Sequence, residues 1–143
     1  CTAISRVFTG LFRRPFPDPA MKLHVANTAG LNVITAYGEG YIAINHQRFE
    51  HNVIVLPGET HAEWTSATVA TLQEADMARL LTLGSEIVLL GTGARLRFPD
   101  RALLRPFLPA GIGIEVMDLQ AACRTYNILA AEGRKVAAAL LFD

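Results

Sequence analysis

The sequence predicts a single layered α/β domain in which a β meander is followed by two β-α-β crossover units on a mixed sheet. Three observations lead to this fold class. The chain has 143 residues, of which 51% are hydrophobic and 18% charged, so it is long and apolar enough to form one core. Short β-branched and aromatic runs fill residues 31–56. Beyond residue 70, apolar strands alternate with amphipathic helices, which implies crossovers and parallel pairing.

Residues 1–20 are expected to precede the domain as an amphipathic segment and a proline-rich connector, and residues 21–143 to form the domain. Five apolar residues recur at helical spacing, namely Ile4, Val7, Phe8, Leu11 and Phe12. Three prolines follow at positions 15, 17 and 19 and favour an extended, stiff connector. We expect this helix to pack on protein and either to help hold a homodimer or to mark a partner-binding surface. A mitochondrial transit peptide and a membrane-surface helix are the alternatives.

The predicted strands of the meander cover residues 31–37, 41–45 and 49–56. Turn residues at 38–40 and 45–47 separate them, and Pro57-Gly58 ends the third strand. We expect another strand around Trp64.

The second half of the sequence is predicted to alternate between helices and strands. Thr71 and Glu74 have the spacing of a capping box, which predicts a helix of about three turns that includes Leu72, Ala75, Leu80 and Leu83. The remaining predicted elements are a strand over 86–90, a short helix capped by Asp100 and limited by Pro106, a strand over 112–117, a long helix from Asp118 to Gly133, and a strand over 136–142.

The most plausible ligand site lies where the strand over 86–90 ends at Gly91-Thr92-Gly93. Ligands of α/β proteins commonly bind at the carboxyl ends of parallel strands. A dinucleotide fingerprint is incomplete, because its sixth position is Leu96, and a tight turn is the simpler interpretation of the two glycines. If the following strand lies alongside, Asp118 would complete a crevice for a small polar or anionic ligand.

Other polar residues favour structural roles over catalysis. Glu115 is expected to form an ion pair with Arg124 or Arg134, and Cys123 is expected to face the core. The four histidines lack the spacing of a metal site, so no bound metal is predicted. No cofactor and no catalytic residue is predicted either. The candidate ligand-binding residues are Gly91, Thr92, Gly93, Glu115, Asp118, Arg124 and Asn127.

Composition disfavours several classes of protein. Thirteen basic and thirteen acidic residues cancel, so the chain lacks the positive charge of a general nucleic-acid binder. Two cysteines cannot form a disulfide framework and fit a reducing compartment. Apolar stretches are too short to span a membrane, and no secretion signal precedes the domain. The expected location is cytoplasmic.

The run from Gly111 to Asp118, with Ala121–Asn127 and Glu132-Gly133, resembles the motif of a known family. It is a domain-of-unknown-function family that includes mitochondrial complex I assembly factor 3, and the present chain resembles its bacterial branch. One departure is Leu119, where the family usually has threonine, which weakens any role for a ligand-binding hydroxyl there.

The resemblance implies a three-layer β/β/α fold with a mixed sheet, and no established catalytic residue or cofactor. It also implies an unidentified protein partner. The expected function is therefore non-enzymatic protein binding or complex assembly. The alternatives are a small-ligand binder at the crevice formed by Gly91–Gly93 and Asp118, and an undiscovered enzyme.

Overall fold

The computed structural model describes residues 30–142. The chain divides into two units, Cys1–Gly30 and Leu31–Asp143, and the description below concerns the second. The predicted amphipathic segment, the connector and the proposed homodimer contact involve residues 1–20, which lie outside the described residues.

The described residues form two β-sheets. The first is antiparallel, with the strand order β1-β2-β3, and the second has five strands in the order β5-β4-β8-β6-β7. The strands are β1 (Ile34–Gly38), β2 (Tyr41–Ile44), β3 (Gln47–Phe49), β4 (Val53–Leu56), β5 (Glu59–Ala62), β6 (Ile87–Gly91), β7 (Gly113–Met117) and β8 (Val136–Leu140). Strands β7, β6 and β8 are parallel, whereas β4 is antiparallel to β8 and to β5, so the larger sheet is mixed, as predicted.

In the described part of the chain, three α-helices connect or flank the strands of the larger sheet. They are α1 (Glu74–Leu81), α2 (Arg101–Leu104) and α3 (Leu119–Ala131). The first crossover runs from β6 through α2 to its neighbour β7. The second runs from β7 through α3 to β8 and therefore passes over β6. Both predicted crossovers are confirmed, and they account for the three parallel strands.

The central strands of the larger sheet are buried on both faces. One face of the central strand β8 presents Val136, Ala138 and Leu140, which pack with α3 and with the three-stranded sheet. The other face presents Ala137, Ala139 and Leu141, which pack with α1, Trp64 and Phe107. Burial on both faces explains why β8 is apolar throughout rather than alternating, as is usual for central parallel strands.

The predicted strand over residues 49–56 is wrong, because it is two strands in different sheets. Strand β3 ends at Phe49 and β4 begins at Val53. Between them, the side-chain amide of Asn52 donates to the carbonyls of Thr65 and Ala67, and its oxygen accepts from the Phe142 amide. These three bonds hold the chain where it passes from one sheet to the other. The next strand, β5, ends at Ala62, so Trp64 is a buried core residue after it.

The predicted capping box at Thr71 and Glu74 is also wrong. Thr71 pairs with Thr68 to close a 3₁₀ turn over Val69–Thr71. The N-cap of helix α1 is Gln73, two residues after Thr71. The Asp76 carboxylate accepts a hydrogen bond from the Gln73 amide. The helix therefore has eight residues rather than three full turns, and Leu72 packs into the core from the preceding segment.

Candidate functional site

Strands β6 and β7 end side by side, as the crevice hypothesis requires. Gly91 pairs with Met117 in the parallel register, and α3 begins directly after Asp118. Two backbone bonds close this end of the sheet. The Thr92 amide donates to the Met117 carbonyl at 2.9 Å, and the Leu119 amide donates to the Gly93 carbonyl at 2.8 Å.

Thr92 is a fully buried polar residue whose hydroxyl makes its hydrogen bonds within the protein. Its Oγ1 donates to the Arg95 carbonyl at 2.7 Å and lies 3.3 Å from the Met117 carbonyl. The same oxygen accepts from the Arg97 amide at 3.1 Å. A hydroxyl has one proton and two lone pairs, so these contacts occupy its donor and part of its acceptor capacity. Thr92 therefore anchors the loop that follows β6 to the end of β7.

The two glycines of this turn are required for different reasons. Gly93 has φ +89, in the left-handed region that glycine adopts without a steric penalty. Gly91 has an ordinary φ, but a Cβ there would lie 2.8 Å from Leu140 Cδ2 and 3.2 Å from Ala122 Cβ. The glycine thus lets α3 pack closely on β6. The sequence interpretation of a tight turn holds for Gly93, whereas the need at Gly91 comes from packing.

Asp118 is the N-cap of α3, as predicted. Its carboxylate accepts from the Ala121 amide at 2.8 Å, and the Leu119 amide is already taken by Gly93. Two of the amides that a helix N-terminus would offer an anion are therefore satisfied within the chain. Ligand binding at the Gly91–Gly93 and Asp118 crevice stays a prediction, while the observed contacts give these residues a structural role.

Glu115 and Arg124 are both exposed, Glu115 on β7 and Arg124 on α3. The predicted ion pair between Glu115 and Arg134 does not form. Arg134 Nη2 instead lies 3.5 Å from Glu86 Oε1, and both of these side chains are about half exposed. Within residues 30–142, Glu115 has no ion-pair partner.

Asn127 lies far along α3 from the candidate crevice. It is nine residues beyond Asp118, which corresponds to about 13 Å along the helix axis. Its side chain makes two hydrogen bonds with the backbone of Ile34 in β1. The neighbouring Tyr126 hydroxyl donates to the Asn32 carbonyl at 2.9 Å. The candidate residues thus do not form one site, because Asn127 fastens α3 to the smaller sheet.

Cys123 faces the core, as predicted, and is fully buried. Burial raises the pKa of its thiol to about 12, and the neighbouring Arg124 charge offsets only part of that effect. The thiol is therefore protonated at neutral pH, which is the unreactive form. This environment suits packing rather than nucleophilic chemistry.

Two open cavities in the described part of the domain are lined by residues other than those of the crevice. One, of about 500 Å³, lies between the β4–β5 turn and the C-terminal end of α3, and a second, of about 560 Å³, lies beside residues 50–52 and 63–68. In the described part of the chain, no group of three His, Cys, Asp or Glu side chains could hold a metal ion. Nor does any helix over residues 30–142 have the length and apolarity to cross a membrane.

The connection between β6 and β7 carries three exposed apolar side chains that the sequence analysis did not single out. Leu96 is 51% exposed, Phe98 69% and Leu108 85%. The sequence feature that could have indicated Leu96 and Phe98 is the segment from Arg95 to Phe98. Charged and apolar residues alternate there, although the segment is not a strand. A fourth exposed residue, Ile128, lies apart from them on α3.

The fold and these contacts define a small mixed α/β domain without an evident catalytic centre among the described residues. The model of the family described as "Protein of unknown function (DUF498/DUF598)" matches residues 34–141, and the chain belongs to this family. The resemblance noted in the sequence is thereby confirmed.

Relatives and solved structures agree with this assignment. The chain is 31% identical over 110 residues to NADH dehydrogenase (ubiquinone) 1 alpha subcomplex assembly factor 3 of Bos taurus, covering 76% of this chain and 59% of the bovine protein. A crystal structure from Bordetella parapertussis is 43% identical, with a TM-score of 0.74 over 80% of this chain and 98% of that one. A Bordetella pertussis structure described as an Mth938-like domain is 34% identical, with a TM-score of 0.69 over 90% and 92% of the two chains.

Proposed function

We propose that this chain is a non-enzymatic protein-binding domain that assists the assembly of a multi-subunit complex. The observation that carries the proposal is the set of exposed apolar side chains on the β6–β7 connection, Leu96, Phe98 and Leu108. Single exposed apolar residues are common, and we interpret the presence of three large ones on a single connection as the mark of a binding surface.

The energy available from this surface suits a protein interface. Full burial of a Leu or Phe side chain contributes roughly 1.5–3 kcal/mol. The area that these three side chains still expose corresponds to about two fully exposed ones, so its burial would contribute roughly 3–6 kcal/mol, compared with about 8 kcal/mol for a micromolar complex. Aromatic anchors such as Phe98 are enriched among the residues that dominate binding energy.

The polar groups near Asp118 support the same choice over a small-ligand function. The Thr92 hydroxyl and the Asp118 carboxylate both make hydrogen bonds within the protein. A small polar ligand needs several convergent groups to fix its orientation. The groups at this end of the sheet are engaged in holding the turn and capping the helix.

The names of the relatives suggest which complex this domain helps to assemble. The bovine relative is named as an assembly factor of NADH dehydrogenase, and the present chain matches 59% of its length. We therefore propose a subunit of an NADH dehydrogenase as the protein that this domain binds.

A gene deletion with complementation tests the proposal. In the organism of origin, loss of the protein should reduce the assembled NADH dehydrogenase seen on native gels stained for NADH oxidation. Affinity capture of tagged wild-type protein should recover subunits of that enzyme by mass spectrometry. Normal amounts of assembled enzyme in the deletion strain, with none of its subunits captured, would refute the proposed function.

Variants of the exposed residues link that result to the surface. The triple substitution L96S/F98S/L108S should abolish both capture and complementation while leaving the fold intact, because all three side chains are exposed. The matched control is I128S, which removes an exposed apolar side chain on α3. If both variants lose capture and complementation to the same extent, the loss would follow from replacing any exposed apolar residue with serine and would not be specific to Leu96, Phe98 and Leu108.

A further inference from the structure

Strand β7 forms one edge of the five-stranded sheet, because β6 is its only neighbour among the strands of residues 30–142. The Gly113 amide donates to the Glu86 carbonyl, and the Met117 carbonyl accepts from the Thr92 amide. In a parallel strand, alternate residues direct both backbone groups to the same side. Gly113, Glu115 and Met117 therefore face β6, whereas Ile114 and Val116 direct their N–H and C=O groups outward.

Open edges of this kind are usually covered, because they offer hydrogen bonds to another chain. Within residues 30–142, no strand, loop or side chain pairs with the outward groups of Ile114 and Val116. Gly113 and the side chain of Glu115 are exposed. Among the described residues, nothing therefore occupies the position of a further strand at this edge.

Both ends of β7 lie beside the exposed apolar residues. At its C-terminal end, the Thr92 hydroxyl joins the backbone of Arg95 and Arg97 to the Met117 carbonyl, which places Leu96 and Phe98 close by. At its N-terminal end, the Gly111 amide donates to the Leu108 carbonyl, two residues before the strand begins. A strand added to this edge would meet apolar side chains at each end.

The connection that carries these residues is basic, although the chain as a whole is neutral. Residues 92–112 contain four arginines and a single acidic residue, Asp100. Arg95, Arg101 and Arg105 are exposed. A partner segment with acidic residues next to apolar ones complements this surface in charge.

A second copy of this chain complements the edge poorly. Two β7 strands paired about a two-fold axis would place two Glu115 carboxylates opposite each other. Like charges directly opposite in antiparallel strands are destabilising. The same pairing would bring two arginine-rich connections together. Charge thus favours a different, acidic partner over self-association.

We infer that β7 accepts an extended, acidic and apolar segment of a partner protein as a sixth strand of the sheet. Backbone hydrogen bonds to Ile114 and Val116 supply affinity, and the Arg95–Phe98 loop supplies selectivity. This inference rests on the proposed function, because the segment would belong to the protein that the domain helps to assemble.

Two blocked nine-residue peptides test the inference directly. Both have the same alternating Val-Thr centre, with two acidic residues at each end in one peptide and two lysines at each end in the other. In NMR titrations of the full chain, the acidic peptide should shift the amides of Ile114, Val116 and Arg95–Phe98. It should bind about tenfold or more tightly than the lysine peptide, which corresponds to roughly 1.4 kcal/mol. No shift at Ile114 and Val116, or equal affinities, would overturn the inference, as would concentration-dependent dimers that protect the same amides.

A proline substitution isolates the outward backbone groups. V116P removes an N–H that β6 does not use, and edge strands tolerate proline at such positions. It should weaken binding of the acidic peptide about tenfold, whereas V116A, which keeps the N–H, should change it less than about threefold. Equal binding by the two variants would contradict strand addition.

The same variants separate this inference from the proposed function. If wild type and V116P capture the NADH dehydrogenase subunits equally, strand addition at β7 is wrong and the assembly function stands. If wild type captures none of them and the deletion strain assembles normal amounts of the enzyme, the assembly function is wrong whatever the peptides show.

Discussion

The side-chain amide of Asn127 in α3 forms two hydrogen bonds with the backbone of Ile34 in β1. The Ile34 amide donates to Asn127 Oδ1 at 2.9 Å, and Asn127 Nδ2 donates to the Ile34 carbonyl at 2.8 Å. The side-chain amide of Asn127 thus takes the place of a neighbouring strand and pairs with the N–H and C=O groups of Ile34 at the outer edge of β1. It also links residues 93 positions apart in sequence. This edge of the smaller sheet is closed from within at Ile34, unlike the edge at β7.

Substitution of Asn127 by alanine should lower the free energy of unfolding by about 1–3 kcal/mol. Ile34 is only 5% exposed, so the substitution leaves two backbone groups without partners near the core. Urea unfolding followed by circular dichroism measures the loss. The control is Q120A, at an exposed position of the same helix, which should change stability by less than about 0.5 kcal/mol. Similar losses in both variants would mean that the Ile34 bonds contribute little.

The features that the sequence predicted well depend on residues close together in the chain. Asp118 caps α3 through an amide three residues later, and the apolar runs at β6 and β8 are strands. The helix spacing correctly placed Cys123 in the core. Such patterns report local geometry, which neighbouring residues largely determine.

Some of what the sequence did not predict depends on contacts between residues that are distant in the chain. Asn52 separates β3 from β4 by bonding to Thr65, Ala67 and Phe142, none of which the run over 49–56 reveals. Asn127 looked like a candidate ligand residue because its partner, Ile34, is far away in sequence. The crevice hypothesis placed the strand ends correctly, but it could not anticipate that Thr92 would bond to Arg95 and Arg97.

Substitution of Gly91 by alanine should destabilise the domain by about 1–3 kcal/mol, because the added methyl overpacks the contact between β6 and α3. Its Cβ would lie 3.2 Å from Ala122 Cβ, which cannot move without the helix. Thermal unfolding measures the effect. The control is G58A, where a Cβ has no neighbour within 4 Å. If G91A is as stable as G58A, α3 can shift to accommodate the added methyl group at little cost in free energy of unfolding.

Substitution of Thr92 by valine tests the structural role of its hydroxyl. Valine keeps the shape but leaves the Arg95 carbonyl and the Arg97 amide without this partner, so stability should fall by about 1–3 kcal/mol. Amide hydrogen exchange at Arg97 should become faster, because the loop loses its anchor. T92S retains the hydroxyl and should stay closer to wild type on both measures. Unchanged exchange in T92V would contradict the anchoring role.

The buried thiol of Cys123 should make the domain less stable at alkaline pH. Its pKa is raised from 9.0 to about 12 in the folded protein, so only the unfolded chain loses the thiol proton between these values. Because the unfolded state then binds fewer protons, the free energy of unfolding falls as pH rises above 9, by up to about 1.4 kcal/mol per pH unit. Urea unfolding between pH 7 and 11 measures this slope.

Comparison with C123A isolates the thiol, because all other titrating groups are shared. At pH 7 the variant should be less stable than wild type by about 1 kcal/mol through lost packing. Alanine has no proton to lose, so the difference should shrink above pH 9 and reverse near pH 10, at which the thiol costs wild type about 1.4 kcal/mol. In the folded protein at pH 8, iodoacetamide should label the peptide that contains Cys123 only slowly. A difference that is constant from pH 7 to 11, or rapid labelling of that peptide, would show that the thiol ionises within the native domain and is not held in its core.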